Sequence, residues 1–174
     1  ISTYNAFGET IQRDVVGSNA QGVAVTAAAS TRFYYDVRGD QRAEIAVSGY
    51  TDGKPAGYLT TFRYDDGGRV LERKEHGNLL ASWSPGWSWS DASAQVAPHP
   101  TDRTVSYTYD AVGNKRTERL TGLQTDATTS YAYDDFGRMR STTDAAGVKN
   151  VTYYDALGRT TGTALIERTA DASQ

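Results

Sequence analysis

The sequence writes one short phrase six times. "YAYDDFGR" fills 131–138 and "YYDALGR" fills 153–159, with looser copies at 107–114 ("YTYDAVGN"), 63–69 ("RYDDGGR"), 34–40 ("YYDVRGD") and 4–9 ("YNAFGE"). The acidic position is taken as origin: Asn5, Asp36, Asp65, Asp110, Asp134 and Asp155. The residue before it is always tyrosine (Tyr4, Tyr35, Tyr64, Tyr109, Tyr133, Tyr154), and three residues after it comes glycine (Gly8, Gly39, Gly68, Gly113, Gly137, Gly158). Constant spacing of three residue types means one backbone shape made repeatedly, and that shape limits what the chain can fold into.

Two residues before the tyrosine stands Phe33, Phe62, Tyr107 or Tyr131 in four copies. Residues two apart share a strand face, so the approach to each motif reads as a strand. An Asp or Asn at a strand end folds its side-chain oxygen onto amides two residues on and starts a turn. Glycine three residues later supplies the left-handed angle that closes such a loop, where a Cβ costs about 1–2 kcal/mol. Arg69, Arg138 and Arg159 follow the glycine and open a return strand. The unit predicts a β-hairpin with a loop of about three to five residues.

Return segments such as "RMRSTTD" (138–144) and "NKRTERL" (114–120) are polar, and "DAAGVKN" (144–150) supplies a second turn. The origins are 31, 29, 45, 24 and 21 residues apart. The shortest interval just fits two strands and their turns, and the longer ones are expected to hold insertions. No stretch carries a sustained helical period; "AQGVAVTAAAS" (20–30) comes nearest, and its alternating valines fit a strand or loop as well. Repeats at this period imply stacking, each unit leaning on its neighbours. The expected fold is all-β: stacked antiparallel hairpins forming a curved sheet. It should cover 1–165, with a Trp-rich insertion at 76–104 and a tail, 166–174, that is disordered or continues into further sequence.

Composition agrees. Leu, Ile, Val and Phe number 28 of 174, against twelve tyrosines, ten of which fall in the motifs or their flanks. So the chain is expected to fold on aromatic and β-branched surface. The net charge of −3 gives no pull toward nucleic acid or anionic lipid, and no apolar run approaches membrane-spanning length. There is no cysteine, hence no disulfide and no thiolate metal site. The chain opens at Ile1 with no initiator Met and reads as an excised or processed piece.

Tyr-Asp-x-x-Gly-Arg at intervals of some 20 residues or more resembles the YD repeat of the Rhs family, which includes Rhs polymorphic toxins, the C subunits of Tc toxin complexes and the teneurins. The copies at Asn5–Glu9, Asp36–Asp40 and Asp110–Asn114 depart from the pattern at one or both ends. The resemblance implies a β-sheet spiralling into a hollow shell, which in Rhs and Tc proteins encloses a C-terminal toxic domain and in teneurins serves adhesion. No counterpart of the shell-closing self-cleavage region stands in this sequence. Twelve strands give about 58 Å of sheet at ~4.8 Å each. A wall around a 100-residue cargo needs a circumference of about 140 Å. The chain is therefore expected to be a length of wall whose partners are the rest of its shell and an enclosed toxin domain. A bacterial protein, secreted or at the cell surface, is the implied source.

Each candidate site admits a second reading. Each acidic loop has one or two carboxylates, short of the ligand density calcium needs, so turn capping is the better account. Trp83, Trp87 and Trp89, in "NLLASWSPGWSWSDASAQVAPHP" (78–100), could stack on sugar rings, which makes a surface-glycan adhesin the alternative function. The insertion also fits an inserted strand pair or a plug with Trp packed against the sheet, Trp87 and Trp89 alternating like a strand face. His76 and His99 lack the spacing of a zinc site. "RGD" (38–40) has its glycine demanded by the repeat, and "NVT" (150–152) matters only as a glycosylation sequon in a secreted eukaryotic protein. No catalytic set converges and no cofactor fingerprint is present, so a non-enzymatic role is expected.

Overall fold

In the computed structural model, residues 1–18, 24–51, 54–81 and 89–167 are described. The fold is all-β, a run of stacked antiparallel hairpins, with one short helix. It divides into two compact units, Ile1–Thr104 and Val105–Gln174.

In the first unit six strands neighbour one another in chain order: β1 (Ser2–Tyr4), β2 (Thr10–Ser18), β3 (Ala24–Tyr35), β4 (Gln41–Thr51), β5 (Lys54–Tyr64) and β6 (Val70–Leu80). The wide spacing of the early motifs has a simple cause. Between Asp36 and Asp65 the added residues lengthen β4 and β5 to 11 residues each, where the sequence suggested an insertion. A true insertion occurs between β6 and the strand that opens at Arg103.

That insertion contains α1 (Trp89–Ala94), so from Trp89 on it is helix and not one of the two strands that a strand pair would supply, while Trp87 lies outside the described residues. The described arm packs against β5 and brings Val96 onto Ala43, Ile45, Leu59 and Leu80, with Tyr34 packed beside them. Ile45 faces Leu59 across β4 and β5, and Tyr34 faces Ala43 across β3 and β4, so these residues share one face of the sheet. Ile45, Leu59 and Leu80 are fully buried, and each such side chain contributes about 1.5–3 kcal/mol by leaving water.

Polar links hold the arm. The Gly77 amide donates to Asp102 Oδ1 at 2.9 Å, Lys74 Nζ lies 2.9 Å from Asp102 Oδ2, and Asn78 Nδ2 donates to the Ala97 carbonyl at 2.9 Å. Glycine is required at 77 because a Cβ would overlap Thr101 Oγ1.

The second unit holds all but the first two residues of β7 (Arg103–Tyr109), then β8 (Lys115–Thr121), β9 (Ala127–Tyr133), β10 (Met139–Thr143), β11 (Lys149–Tyr154) and β12 (Thr160–Ile166), again neighbours in chain order. Its described interior is small: Val151 and Ser141, opposite each other across β10 and β11, are the buried pair.

Candidate functional site

The six motifs make one kind of loop. In each, the origin amide donates to the carbonyl four residues on, and the glycine amide donates back to the origin carbonyl, as in Asp134–Arg138 at 3.0 Å and Gly137–Asp134 at 2.9 Å. The six glycines have φ between 76° and 97°, the left-handed region anticipated from their spacing.

Inside each loop the origin side chain accepts two amides. Asp134 Oδ1 takes those of Phe136 and Arg138, both at 3.0 Å. Asp36, Asp65, Asp110 and Asp155 do the same. Asn5 Oδ1 reproduces the pattern with Phe7 and Glu9.

The second carboxylate oxygen takes a side-chain donor. Arg69, Arg138 and Arg159 bring Nε to 2.6, 2.7 and 2.7 Å from Asp65, Asp134 and Asp155. The guanidinium thus folds back on its own turn.

The departures from the motif are matched elsewhere in the chain. Asp40 stands where arginine is expected, and Arg42 supplies the guanidinium, with Nε 2.8 Å from Asp36 Oδ2. Asn114 donates Nδ2 to Asp110 Oδ2 at 3.0 Å. At the first motif the polarity is inverted: Asn5 Nδ2 donates to Glu9 Oε2 at 2.6 Å.

These bonds set the electrostatics. For Asp65 and Asp155 the leading influence is the amide four residues on, that of Arg69 or Arg159, and each carboxyl is held below its ordinary value. For Asp36, Asp110 and Asp134 partial desolvation is the largest single influence and pushes upward, but amide and side-chain donors together outweigh it, so these too are lowered. A carboxylate so engaged is a poor base. Among the described residues, no group of three or more His, Asp or Glu is arranged to hold a metal ion.

The tyrosines join one motif to the next. Tyr4, Tyr35, Tyr64, Tyr133 and Tyr154 each pair through the backbone with the residue five after their own origin, at a register slip, as Tyr35 pairs with Gln41 and Tyr154 with Thr160. Such a bulge turns the side chain out of the regular strand alternation. The hydroxyl of the following motif's tyrosine then donates to that same residue's carbonyl. Tyr35 reaches Thr10 at 3.0 Å, Tyr64 reaches Gln41 at 2.8 Å, Tyr133 reaches Lys115 at 3.0 Å and Tyr154 reaches Met139 at 2.9 Å. Tyr109 closes β7 half-buried, and Tyr4 is 58% exposed at the end of β1.

Cations reinforce these junctions. Arg138 lies over the Tyr154 ring at 4.7 Å, and Arg42 over Tyr64 at 5.2 Å. Arg138 Nη1 and Arg38 Nη2 reach forward to the Asp155 and Asp65 carbonyls at 3.5 and 3.3 Å.

The turn expected at 144–150 proves to be more than a connector. Asp144 builds a seventh loop of the same kind, taking the Ala146 and Val148 amides at 2.9 Å, with Gly147 at φ 84°. Its Asp-x-x-Gly spacing was visible, but Thr143 replaces the tyrosine. Arg42, Lys74 and Asp102 gave no signal, because their partners are set by tertiary register. Trp83 and Trp87 lie outside the described residues, and Trp89 is described only as the backbone opening α1.

His76 lies under the arm in an open cleft of about 450 Å³ lined by Tyr58, Thr60, Glu75, Thr101 and Arg103, among others. Its Nε2 is 3.3 Å from Thr61 Oγ1, and its buried Nδ1 has no partner. Desolvation, then the Lys74 charge, hold its pKa below the ordinary value.

No protein-family model matches the chain, and no curated protein does. Among solved structures it matches a chain in the crystal structure of TcdB2-TccC3-Cdc42, at 14% identity and a TM-score of 0.36. The match covers 96% of this chain, which spans 12% of that one.

Proposed function

We propose that the chain is a non-catalytic structural module, a length of the wall of a hollow β-shell that encloses a toxic domain. The supporting observation is the tyrosine rung, which recurs at the same offset in four junctions. A bond that recurs between successive hairpins at one offset suits extension by repetition, and a wall needs extension more than it needs a pocket. Engagement of each motif carboxylate within its own loop favours architecture over acid–base work. The wall would isolate its cargo by steric enclosure, and a polar, tyrosine-bearing lining would hold a loosely folded cargo without gripping it.

The test is electron microscopy and limited proteolysis of the longer polypeptide this reading implies. A closed hollow particle with a protease-protected internal domain is expected; a fully cleavable chain with no enclosed volume overturns the reading. The adhesin alternative predicts glycan-array binding that Trp87→Ala abolishes, and that result would also displace the wall.

A further inference from the structure

Between β5 and β6 the ladder skips. Tyr58 pairs with Leu79 and Thr60 with Glu75, so Leu59 alone stands opposite His76, Gly77 and Asn78. The Gly77 amide is turned away to Asp102, and at this bulge lies the open cleft of about 450 Å³. The cleft lies on the face opposite the core. Ala46 pairs with Tyr58 and Thr60 with Glu75, whereas the neighbouring pair on the other face, Ile45 and Leu59, is buried. Thr101 and Arg103, both exposed, complete the wall.

Its side chains have binding capacity to spare. Tyr58 is 51% exposed. Among the described residues the Arg103 guanidinium has no partner, and Glu75 engages only Oε1, with Arg73 Nη1 at 2.6 Å. These groups select by exclusion. An anion meets the Glu75 carboxylate, a cation meets Arg103, and a wholly apolar ligand leaves both charges stranded. What fits is a neutral molecule with an apolar face for the tyrosine ring and adjacent hydroxyls for the charged groups. A guanidinium fork donates to two neighbouring oxygens, and a free carboxylate oxygen accepts a hydroxyl. The volume falls at the lower end of small-molecule sites, about 300–1,000 Å³.

We propose that this cleft binds a neutral pyranose, the end sugar of a glycan. The Tyr58 ring lies against the apolar face of the sugar. Arg103 donates to two adjacent hydroxyl oxygens, Glu75 Oε2 accepts from a hydroxyl, and the Thr60 hydroxyl stands beside it. The mouth is open, so the glycan beyond its end sugar stays in solvent. Contacts are few, and a monosaccharide should bind with Kd on the order of 1–10 mM. The site uses none of the three tryptophans.

The experiment is an amide-shift titration of the whole isotope-labelled chain with the methyl glycosides of glucose, galactose, mannose and N-acetylglucosamine, each to about 50 mM. At least one should give saturable shifts at the Thr60, Glu75, Gly77 and Thr101 amides. Tyr58→Ala should weaken binding about tenfold, and Tyr58→Phe should keep it, since the ring is the platform. Arg103→Ala should weaken it about fivefold, and Trp87→Ala should leave it unchanged. If Tyr58→Ala lowers the melting temperature, the exposed Arg103→Ala carries the test. Four outcomes overturn the proposal: no saturable shift with any of the sugars, binding untouched by Tyr58→Ala and Arg103→Ala, binding lost with Trp87→Ala, or sulfate or tetramethylammonium binding more tightly than every sugar. A wall encloses its cargo with or without a sugar site, so either result leaves the enclosure test untouched.

Discussion

The Tyr64 hydroxyl donates to the Gln41 carbonyl at 2.8 Å, and Gln41 is the residue whose backbone pairs with Tyr35 in the preceding motif. One peptide group therefore serves two successive tyrosines, one through the backbone and one through the phenol. Tyr64→Phe removes only the second and should cost about 1 kcal/mol in urea unfolding. The more exposed Tyr154→Phe should cost less, because water replaces the lost donor.

Glycine substitutions separate backbone strain from crowding. A Cβ on Gly137 meets nothing, so Gly137→Ala should cost only the positive-φ penalty, about 1–2 kcal/mol. Gly57 has ordinary φ, but its Cβ would overlap the Ala46 carbonyl and come within 2.8 Å of Ile45 Cγ2. Gly57→Ala should therefore cost more than Gly137→Ala, with β4 and β5 forced apart. Equal melting temperatures for the two variants would contradict this assignment.

The inverted pair at the first motif offers a charge test. Asn5→Asp sets a second carboxylate against Glu9 and should lower stability, whereas Asn5→Asp with Glu9→Arg recreates the ordinary pair and should recover it. A double-mutant cycle should show a coupling of about 0.5–1 kcal/mol for this part-buried pair.

Acid should act in two steps. His76 is held below its ordinary value, so its contribution is whole above about pH 6.5 and is lost as pH falls through its lowered folded value. That step belongs to the arm, and His76→Gln should remove it. The motif aspartates and Asp102 are also lowered; their contribution is whole above the unfolded-chain value of about 3.9 and is lost as pH falls through the folded values. Asp102 titrates last, at about 2: desolvation opposes its charge, but the Gly77 amide, Lys74 and the His99 hydrogen bond prevail. Amide exchange in Leu80 and Val96 should report the first step, and exchange in the turn amides the second.

The hairpins were legible because their signal is local. Tyr133, Asp134 and Gly137 lie within five residues and dictate the loop without reference to the rest of the chain. The rungs were not legible, since Tyr133 meets Lys115 only once two hairpins have their register. Strand pair and plug could not be told apart for the arm, because alternation at Trp87 and Trp89 imitates a strand while "SWSD" (88–91) also spells a Ser-x-x-Asp pattern that can open a helix. Nor did the sequence reveal that Arg42 would do for Asp36 what Arg138 does for Asp134, because the cation had moved two places along β4.

Removing four oxygen atoms tests the whole arrangement. The variant carrying Tyr35→Phe, Tyr64→Phe, Tyr133→Phe and Tyr154→Phe keeps every ring and loses each described rung. If the rungs bind repeat to repeat, the unfolding free energy summed over both units should fall by about 2–6 kcal/mol, from about 0.5–1.5 per bond. Turn amides at Arg138 and Arg159 should remain protected until the sheet itself opens. A urea midpoint unchanged from wild type would mean the hydroxyls join nothing.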